Sequence, residues 1–254
     1  MNEARFVFSE RYLRNLAIPG FGEQGQARLG SGRVLVAGLG GLGSPAAFYL
    51  AAAGVGTLGL LDSDVVEESN LQRQLLHTTR DVGRPKIDSA ADAIGALNPD
   101  VTVEPIGVRL TAGNAAGLIE GYDAVVEASD NFPTKFIIND ACVRLGKPFA
   151  TAGILCLSGQ AQFVVPGATA CLRCTVAEPP VPPEGVPGVL GAAPGVLGSL
   201  EAMEVIRWLA GLWLPQRDGA ALLHCLDGDA MRLKTLRVLP RQGCACGAWS
   251  KLNG

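Results

Sequence analysis

A short apolar run that enters a glycine-rich turn constrains the fold of this chain more than any other feature. Residues 34–37 (VLVA) run directly into GLGGLG at 38–43, and Asp62 follows about 20 residues further on. In such a turn, backbone N–H groups approach phosphate oxygens at the start of a helix, and the acid binds ribose hydroxyls. The pattern predicts a buried parallel strand, a nucleotide-binding turn and a Rossmann-like α/β fold.

Helical and strand-like segments alternate beyond this turn. Predicted helices cover 42–53, 86–97, 114–119 and 132–145, and predicted strands cover 57–62, 101–104, 123–128, 149–152 and 160–165. This alternation indicates a doubly wound, mostly parallel sheet with a ligand crevice at the carboxyl ends of its strands. Gly38, Asp62 and Asp130 each follow a predicted strand, so we expect them to converge at one crevice.

The composition changes after the predicted core, although the whole of 1–254 is interpreted as one domain. Its parts are an N-terminal helical arm (1–30), a nucleotide-binding core (31–165), a Pro/Gly-rich crossover loop (176–198) and a C-terminal helix with strands (199–247). Ser199 is the predicted N-cap of a helix that ends at Gly211. Two antiparallel strands are expected at 221–226 and 231–239.

Charge and hydropathy exclude several classes of function. A net charge of -3 without a basic block argues against nucleic acid as the main partner. The sequence has no uninterrupted apolar stretch of about 18 residues, so no membrane span and no membrane partner are expected. The first 15 residues do not resemble a signal peptide, so we expect a cytoplasmic protein.

A polar insert next to the predicted nucleotide site favours chemistry on phosphates. It consists of Ser69, Asn70, Leu71, Gln72, Arg73 and Gln74. A hydride-transfer enzyme needs the glycine turn and Asp62, but it has no need for this insert. Lys86 follows at a predicted helix start, where a cation opposes the helix dipole and therefore suggests a functional reason. Cationic donors at these positions would stabilise charge on an α-phosphate during transfer.

The acids near the predicted crevice leave alternatives open. Asp130, at the end of a buried strand, could hold Mg²⁺ against phosphates or could cap the helix that begins near Phe132. Asn131 is a secondary candidate for the same site. Asp64 is either part of the polar strand end or a solvated loop acid.

Four of the seven cysteines form two close pairs. These are Cys171 and Cys174, spaced as in a metal knuckle, and Cys244 and Cys246, one residue closer than usual. Four thiolates predict a closed, structural zinc site, with a redox pair or a reactive thiol as the alternative. The other cysteines, Cys142, Cys156 and Cys225, are expected to be buried and inert. His77 and His224 have no nucleophile partner in the sequence and are interpreted as structural, which argues against a hydrolytic triad.

Taken together, these motifs resemble the MoeB/ThiF/HesA family of enzymes related to ubiquitin-activating enzymes, with spacing closest to the MoeB type. The resemblance is carried by RYLR at 11–14, GLGGLG at 38–43, DSD at 62–64, SNLQRQ at 69–74, GRPK at 83–86, SDN at 129–131, both cysteine pairs and GVLGSLEAMEVI at 195–206.

The resemblance implies an adenylyltransferase that uses ATP and Mg²⁺. Such enzymes join the C-terminal glycine carboxylate of a ubiquitin-like sulfur-carrier protein ending in Gly-Gly to AMP and release pyrophosphate. The family arginine matched by Arg14 reaches the ATP site of a neighbouring subunit, which implies a homodimer. By position, the remaining roles fall to Gly38, Gly40, Gly41 and Gly43 for phosphates, Asp62 for ribose, Asn70, Arg73 and Lys86 for phosphates, Asp130 for Mg²⁺, and the four paired cysteines for Zn²⁺.

Two departures from the family limit these expectations. Residues 176–198 contain no cysteine, so no thioester through that loop is expected, and the Cys-Ala-Cys spacing changes the second zinc knuckle. The sequence ends soon after Cys246, so sulfur is expected to come from a separate donor protein. The alternatives are adenylation of a peptide or other carboxylate in natural-product biosynthesis, an NAD-dependent oxidoreductase, and a non-catalytic module that keeps the fold.

Overall fold

Eight strands form one mixed sheet in the computed structural model, which describes residues 10–180, 185 and 187–247. The strands are β1 (Arg33–Ala37), β2 (Thr57–Leu61), β3 (Thr102–Ile106), β4 (Ala124–Glu127), β5 (Phe149–Leu155), β6 (Ser158–Val164), β7 (Ala221–Asp227) and β8 (Arg232–Val238). Their order is β3-β2-β1-β4-β5-β6-β7-β8. The pairs among β1 to β5 are parallel, and those from β5 to β8 are antiparallel. The predicted parallel core with C-terminal antiparallel strands is therefore confirmed.

The helices lie on both faces of this sheet. They are α1 (Leu13–Leu16), α2 (Gly22–Ser31), α3 (Gly43–Ala53), α4 (Lys86–Leu97), α5 (Ala115–Ile119), α6 (Phe132–Leu145), α7 (Leu172–Thr175) and α8 (Ala192–Ala210). Strand β1 shows how the two layers form, because its side chains alternate between faces. Val34 and Val36 pack with α2, α3, α4 and α8, whereas Leu35 and Ala37 pack with α5 and α6.

Helix α3 begins and ends where the sequence predicts. Pro45 is its third residue, within the first turn, where the missing N–H would have no partner inside the helix. Gly54 ends the helix in the left-handed conformation (φ 86°). The spans predicted for α4 and α6 also agree with the structure.

The prediction that residues 176–198 are a loop is wrong for its last part. Helix α8 begins at Ala192 rather than at Ser199, and its N-cap is Gly191. Pro194 is tolerated because it lies in the first turn. Gly198 is required by packing, since a Cβ there would overlap the carbonyl oxygen of Leu42 and lie 2.7 Å from Pro45 Cγ. The glycines and proline therefore reflect close contact between α8 and α3, not an irregular loop.

Strands β7 and β8 extend the same sheet past the predicted core boundary at residue 165. Among the residues that the structure describes, no helix combines the length and the apolar character needed to cross a bilayer. The first nine residues of the predicted arm and residues 181–184 and 186 of the predicted loop lie outside the described residues.

Candidate active site

A large open cavity of about 1290 Å³ lies at the carboxyl ends of β1, β2 and β4. The structure brings most of the predicted site residues to this cavity. Those that line it are Gly38, Gly40, Gly41, Asp62, Asp64, Ser69, Gln72, Arg73, Gln74, Lys86, Asp130 and Asn131. Four predicted residues, Arg14, Gly43, Asn70 and Leu71, are not part of its lining. The convergence of three strand ends, expected from the sequence, is confirmed.

The glycine turn between β1 and α3 is shaped by contacts that exclude side chains. Gly38 has φ 100°, and a Cβ there would lie 2.7 Å from the carbonyl oxygen of Ala128 on the neighbouring strand end. A Cβ on Gly43 would overlap the carbonyl oxygen of Gly38. Gly43 therefore supports the turn from behind rather than lining the cavity, so only glycine fits at either position.

The same turn presents backbone donors at the start of α3. Within the described chain, no hydrogen-bond partner is found for the N–H groups of Gly40, Gly41 and Leu42. The Leu39 N–H instead donates to Asp62 Oδ2 at 2.8 Å, which joins the turn to the end of β2. Unpaired amides at a helix N-terminus form a binding site for an anion such as phosphate.

Lys86 is a buried cation at the cavity wall. Only 6% of the residue is exposed, and its Nζ donates to Asp64 Oδ2 at 3.1 Å. The side chain of Asp64 is 68% exposed, so this ion pair is buried at the lysine end and open at the carboxylate end. Asp64 is thus a partner of Lys86, which the sequence left undecided. Asp62 also accepts from the Asp64 N–H at 2.9 Å, so its carboxylate is held in place by two backbone amides.

The polar insert divides into residues that face the cavity and residues that hold the loop. Asn70 is 7% exposed, and its Oδ1 accepts from the Glu67 N–H in a capping box. Arg73 lines the cavity, with Nη1 donating to the Ser69 carbonyl oxygen at 3.0 Å. Gln74 also lines it and is buried, and its Oε1 has no hydrogen-bond partner among the described residues. The structure therefore places Asn70 in support of the loop that presents Arg73.

The end of β4 resolves the alternative roles of its two polar residues. Asn131 caps α6, because its side-chain oxygen accepts from the Thr134 N–H at 2.9 Å. Asn131 Nδ2 also donates to Asp130 Oδ1 at 3.2 Å, and Asp130 is exposed to the cavity. The cap predicted as an alternative for Asp130 thus belongs to Asn131. The Asp130 carboxylate remains suited to a hard cation such as Mg²⁺, which prefers oxygen ligands.

The four paired cysteines come together on the face of the sheet that α5 and α6 cover. Their sulfur atoms all lie within 4.8 Å of one another, with 3.6 Å from Cys171 to Cys244 and 3.8 Å from Cys174 to Cys246. A tetrahedral zinc site with Zn–S bonds of about 2.3 Å has sulfur–sulfur edges of about 3.8 Å, so the cluster fits Zn²⁺. Hydrogen bonds from Cys171 and Cys246 lower the pKa of the Cys174 thiol, and the Arg241 N–H also donates to its sulfur at 3.3 Å. The short second pair does not prevent the four sulfurs from meeting.

The family model described as the ThiF family matches residues 12–248 of this sequence. The chain belongs to the ThiF family. The SAMP-activating enzyme E1 of Haloferax volcanii is 47% identical over 94% of this chain and 88% of its own length. The sulfur carrier protein adenylyltransferase of Thermus thermophilus is 45% identical over 91% of this chain and 89% of its own length.

The chain is also similar to a longer relative and to a solved structure. The adenylyltransferase and sulfurtransferase MOCS3 of Bos taurus is 46% identical over 93% of this chain. The chain spans only about half the length of that relative, 53%. The crystal structure of E. coli MccB with succinimide superimposes with a TM-score of 0.82 at 23% identity, covering 95% of this chain and 75% of MccB. At that identity, the likeness to MccB shows the fold alone.

A buried ionic network lies beneath the cavity of this ThiF-family chain, and the sequence analysis did not single it out. Glu127 is fully buried, and its carboxylate accepts from the Ser129 N–H and hydroxyl, the Thr151 hydroxyl (2.6 Å) and Lys135 Nζ (2.8 Å). Lys135 Nζ also donates to the Ala152 carbonyl oxygen at 2.6 Å and lines the cavity. An acid inside an otherwise apolar strand, followed by a lysine in the first turn of the next helix, was the signal available.

Glu201 on α8 is a second buried acid that the sequence analysis missed. The residue is 1% exposed, and neither carboxyl oxygen has a hydrogen-bond partner in the described residues. Burial raises the pKa of Glu201 well above its ordinary value of 4.5, and the nearby Glu127 carboxylate raises it further, while Lys135 opposes the shift. Burial without a hydrogen-bond partner thus favours the protonated, uncharged form of Glu201.

We expect Glu201→Gln to remove part of the pH dependence of stability. The native state keeps the Glu201 proton where the unfolded chain has released it, so the free energy of unfolding falls as pH rises above about 4.5 toward the raised native pKa. The slope lost in the variant approaches about 1.4 kcal/mol per pH unit. Urea unfolding from about pH 5 to about pH 8 measures it, with Glu204→Gln, on the same helix but paired with Arg207, as control. Equal slopes for wild type and Glu201→Gln would contradict a neutral Glu201.

The two histidines interpreted as structural both bond within the fold. His77 is buried, with Nδ1 2.9 Å from Ser89 Oγ and Nε2 3.2 Å from the Leu39 carbonyl oxygen, and burial lowers its pKa. His224 contacts Thr235 through its ring nitrogen Nδ1.

The prediction that the three other cysteines are buried holds for Cys142 only. Cys156 is exposed because it lies in the turn between β5 and β6, and Cys225 is half-buried and lines the cavity.

Proposed function

We propose that this protein is an ATP-dependent adenylyltransferase that activates the C-terminal glycine carboxylate of a ubiquitin-like sulfur-carrier protein. The observation that carries the proposal is one cavity lined by the unpaired amides of the glycine turn together with Asp62, Arg73, Lys86 and Asp130. A nucleoside triphosphate needs this combination of ribose acceptor, anion donors and carboxylate for a cation. A relative at 45% identity over 89% of its own length is named a sulfur carrier protein adenylyltransferase, and one at 47% identity over 88% of its length is named a SAMP-activating enzyme.

The reaction requires positioning and charge stabilisation rather than a general base. A carboxylate oxygen of the carrier attacks the α-phosphorus of ATP, the bond from that phosphorus to the bridging oxygen breaks, and pyrophosphate leaves. A C-terminal carboxyl group has a pKa of about 3.5 and is already ionised at neutral pH. No proton has to be removed from the nucleophile, which agrees with two histidines that bond elsewhere in the fold.

The proposal assigns roles in ribose binding, phosphate binding and cation binding to residues of the cavity. Asp62, held by two backbone amides, accepts from the ribose hydroxyls. The amides of Gly40 and Gly41 bind phosphate oxygens, while Arg73 and Lys86 stabilise the charge that builds on the α-phosphate. Asp130 would hold Mg²⁺, which supplies charge neutralisation for the phosphates when bound.

The products would serve sulfur transfer in the biosynthesis of a cofactor or metabolite. The acyl-adenylate is a substrate for a sulfur donor, which displaces AMP from the carbonyl carbon and leaves a thiocarboxylate on the carrier. We propose that a separate protein supplies this sulfur. We also propose that the enzyme forms no thioester with the carrier through residues 176–198, which contain no cysteine. An enzyme–carrier thioester detected by mass spectrometry would contradict that part of the proposal.

We propose that Arg14 acts in the cavity of a partner subunit in a homodimer. Arg14 lies exposed on α1 and does not line the cavity of its own chain. We expect Arg14→Ala and Lys86→Met to be inactive alone, whereas an equal mixture after subunit exchange regains roughly a quarter of the wild-type activity, since half the dimers have one intact site. If native mass spectrometry confirms mixed dimers and the mixture still regains no activity, the proposed role of Arg14 in the partner's cavity is contradicted.

The test of the proposed function is ATP–pyrophosphate exchange with Mg²⁺, measured with and without ubiquitin-like carriers that end in Gly-Gly. Exchange that depends on a carrier is expected, and the most effective carrier would identify the pathway. Deletion of the last glycine of that carrier is the matched control and should abolish exchange. Intact ATP binding without exchange for any carrier would reject a sulfur carrier as the substrate. A peptide or other carboxylate would then be the next candidate.

A further inference from the structure

The cavity changes character beyond Asp130. Its wall there is formed by β5, β6 and the end of β7, and the lining residues of these strands are uncharged: Gly153, Ile154, Leu155, Ser158, Gly159, Gln160, Cys225 and Leu226. The backbone amides assigned to phosphate belong to the turn after β1. Arg73 lies in the loop after β2, and Lys86 is the first residue of α4. Among the cavity residues that the structure describes, Lys135 is the cation on the β5–β6 side.

Lys135 is held in a fixed position with spare donor capacity. The residue is 5% exposed, and its Nζ donates to Glu127 Oε2 at 2.8 Å and to the Ala152 carbonyl oxygen at 2.6 Å. An ammonium group carries three N–H donors, so one remains after these two bonds. The Glu127 carboxylate also accepts hydrogen bonds from Ser129 and Thr151, so Lys135 is not the sole donor that compensates its negative charge. The result is a preorganised cation at the cavity wall.

We propose that the third N–H of Lys135 binds the carboxylate of the substrate, an inference that rests on the proposed function. A carboxylate that approaches the α-phosphate enters a cavity already occupied by a polyanion, so it needs a compensating cation. Arg73 and Lys86 lie on the side of the glycine turn and serve the phosphates. Arg109 also lines the cavity, but it follows β3, on the side away from β5, which leaves Lys135 for the acceptor. A charge-assisted hydrogen bond also orients one carboxylate oxygen and leaves the other free to attack.

The order of the strands supports this assignment. Asp62 follows β2, the glycine turn follows β1, Asp130 follows β4, and Lys135 contacts the carbonyl of Ala152 on β5. Since these strands are neighbours in the sheet, ribose, phosphates, Mg²⁺ and acceptor carboxylate would follow one another across the cavity. A purely structural Lys135 would stabilise the buried Glu127 and have no effect on carboxylate binding.

The direct test uses two small probes, acetyl-Gly-Gly and its C-terminal amide. Their dissociation constants are measured by NMR titration of the protein saturated with Mg²⁺ and a non-hydrolysable ATP analogue. We expect wild type to prefer the free carboxylate by at least about tenfold, and Lys135→Met to lose that preference. The Kd of the ATP analogue should change by less than about twofold in the variant, because the proposal assigns Lys135 to the acceptor alone.

Two further variants keep the result interpretable. Lys147→Met removes a lysine beyond the far end of α6 that does not line the cavity, and it should retain the preference. Because Lys135→Met alone leaves Glu127 as an uncompensated buried charge, the double variant Glu127→Gln/Lys135→Met serves if the single one unfolds. A preserved preference in a folded Lys135 variant would overturn the proposal, as would the absence of any preference in wild type.

The results of these experiments distinguish a failure of the Lys135 proposal from a failure of the proposed function. If wild type prefers the carboxylate through Lys135 while no Gly-Gly carrier supports exchange, the Lys135 site stands and the sulfur-carrier substrate fails. If a carrier supports exchange and Lys135→Met keeps both the preference and the wild-type KM for that carrier, the proposed function stands and the Lys135 site fails.

Discussion

Lys86→Met is expected to lower the rate of carrier-dependent ATP–pyrophosphate exchange by roughly 10²- to 10³-fold, the usual effect of removing one preorganised donor to transition-state charge. Lys86 is 6% exposed, and its ammonium contacts Asp64 Oδ2 at the cavity wall. Because Asp64 is largely exposed, the ammonium can turn from this carboxylate to a phosphate oxygen without leaving an unpaired buried charge behind. Methionine fills the same buried space and cannot donate.

The Lys86 variant also has a predicted kinetic pattern. The rate should fall far more than the affinity for ATP, since the charge that Lys86 stabilises develops in the transition state. The melting temperature should stay close to that of wild type, because no buried charge is left behind. Lys147→Met is the matched control and should exchange at the wild-type rate. An exchange rate within about threefold of wild type for Lys86→Met would remove Lys86 from the proposed chemistry.

We propose that the four thiolates bind a structural zinc ion, and we expect its removal to have the largest effect on stability. Binding of structural zinc by four thiolates contributes on the order of 10 kcal/mol, as much as the whole stability of a typical domain. We therefore expect chelation, or Cys246→Ser, to release one zinc ion per chain and to lower the melting temperature strongly. Metal content by mass spectrometry and a thermal unfolding curve measure the two effects.

We expect the loss of zinc to disturb the cavity as well, because α6 connects the cysteine cluster to the cavity wall. The knuckle helix α7 is tied to α6 by Asn139, whose side-chain oxygen accepts from the Leu172 N–H at 3.0 Å, and by a two-bond ion pair between Arg173 and Asp140. The first turn of α6 follows Asp130 and contains Lys135. Cys156→Ser, which changes an exposed thiol outside the cluster, is the control and should keep its zinc. Purified wild type without zinc, or unchanged stability of Cys246→Ser, would contradict a structural zinc site.

Local patterns in the sequence were enough for the alternating strands and helices of the core and for most of the residues that line the cavity. The run into Gly38, the spacing to Asp62 and the glycine at 54 each depend on neighbouring residues, so they could be interpreted without a fold. The four cysteines were also predictable, because their spacing shows the pairs even though Cys171 and Cys246 are far apart in sequence.

Features that depend on distant contacts could not be predicted in the same way. The start of α8 at Ala192 is set by the contact of Gly198 with Leu42, which only the folded chain brings together. The Glu127–Lys135 pair and the raised pKa of Glu201 depend on burial by several elements. The Pro/Gly-rich composition indicated a loop where α8 begins.

The central claim, attack of a carrier carboxylate on the α-phosphate, is tested most directly with oxygen isotopes. The carrier is prepared with ¹⁸O in its C-terminal carboxylate, incubated with the enzyme, ATP and Mg²⁺, and trapped with hydroxylamine, which displaces AMP from the acyl-adenylate. Mass spectrometry of the AMP should then show one ¹⁸O atom per hydroxamate formed, because a carboxylate oxygen becomes the bridge to phosphorus. Unlabelled AMP, or ¹⁸O in inorganic phosphate from attack at the γ-phosphate, would contradict the account.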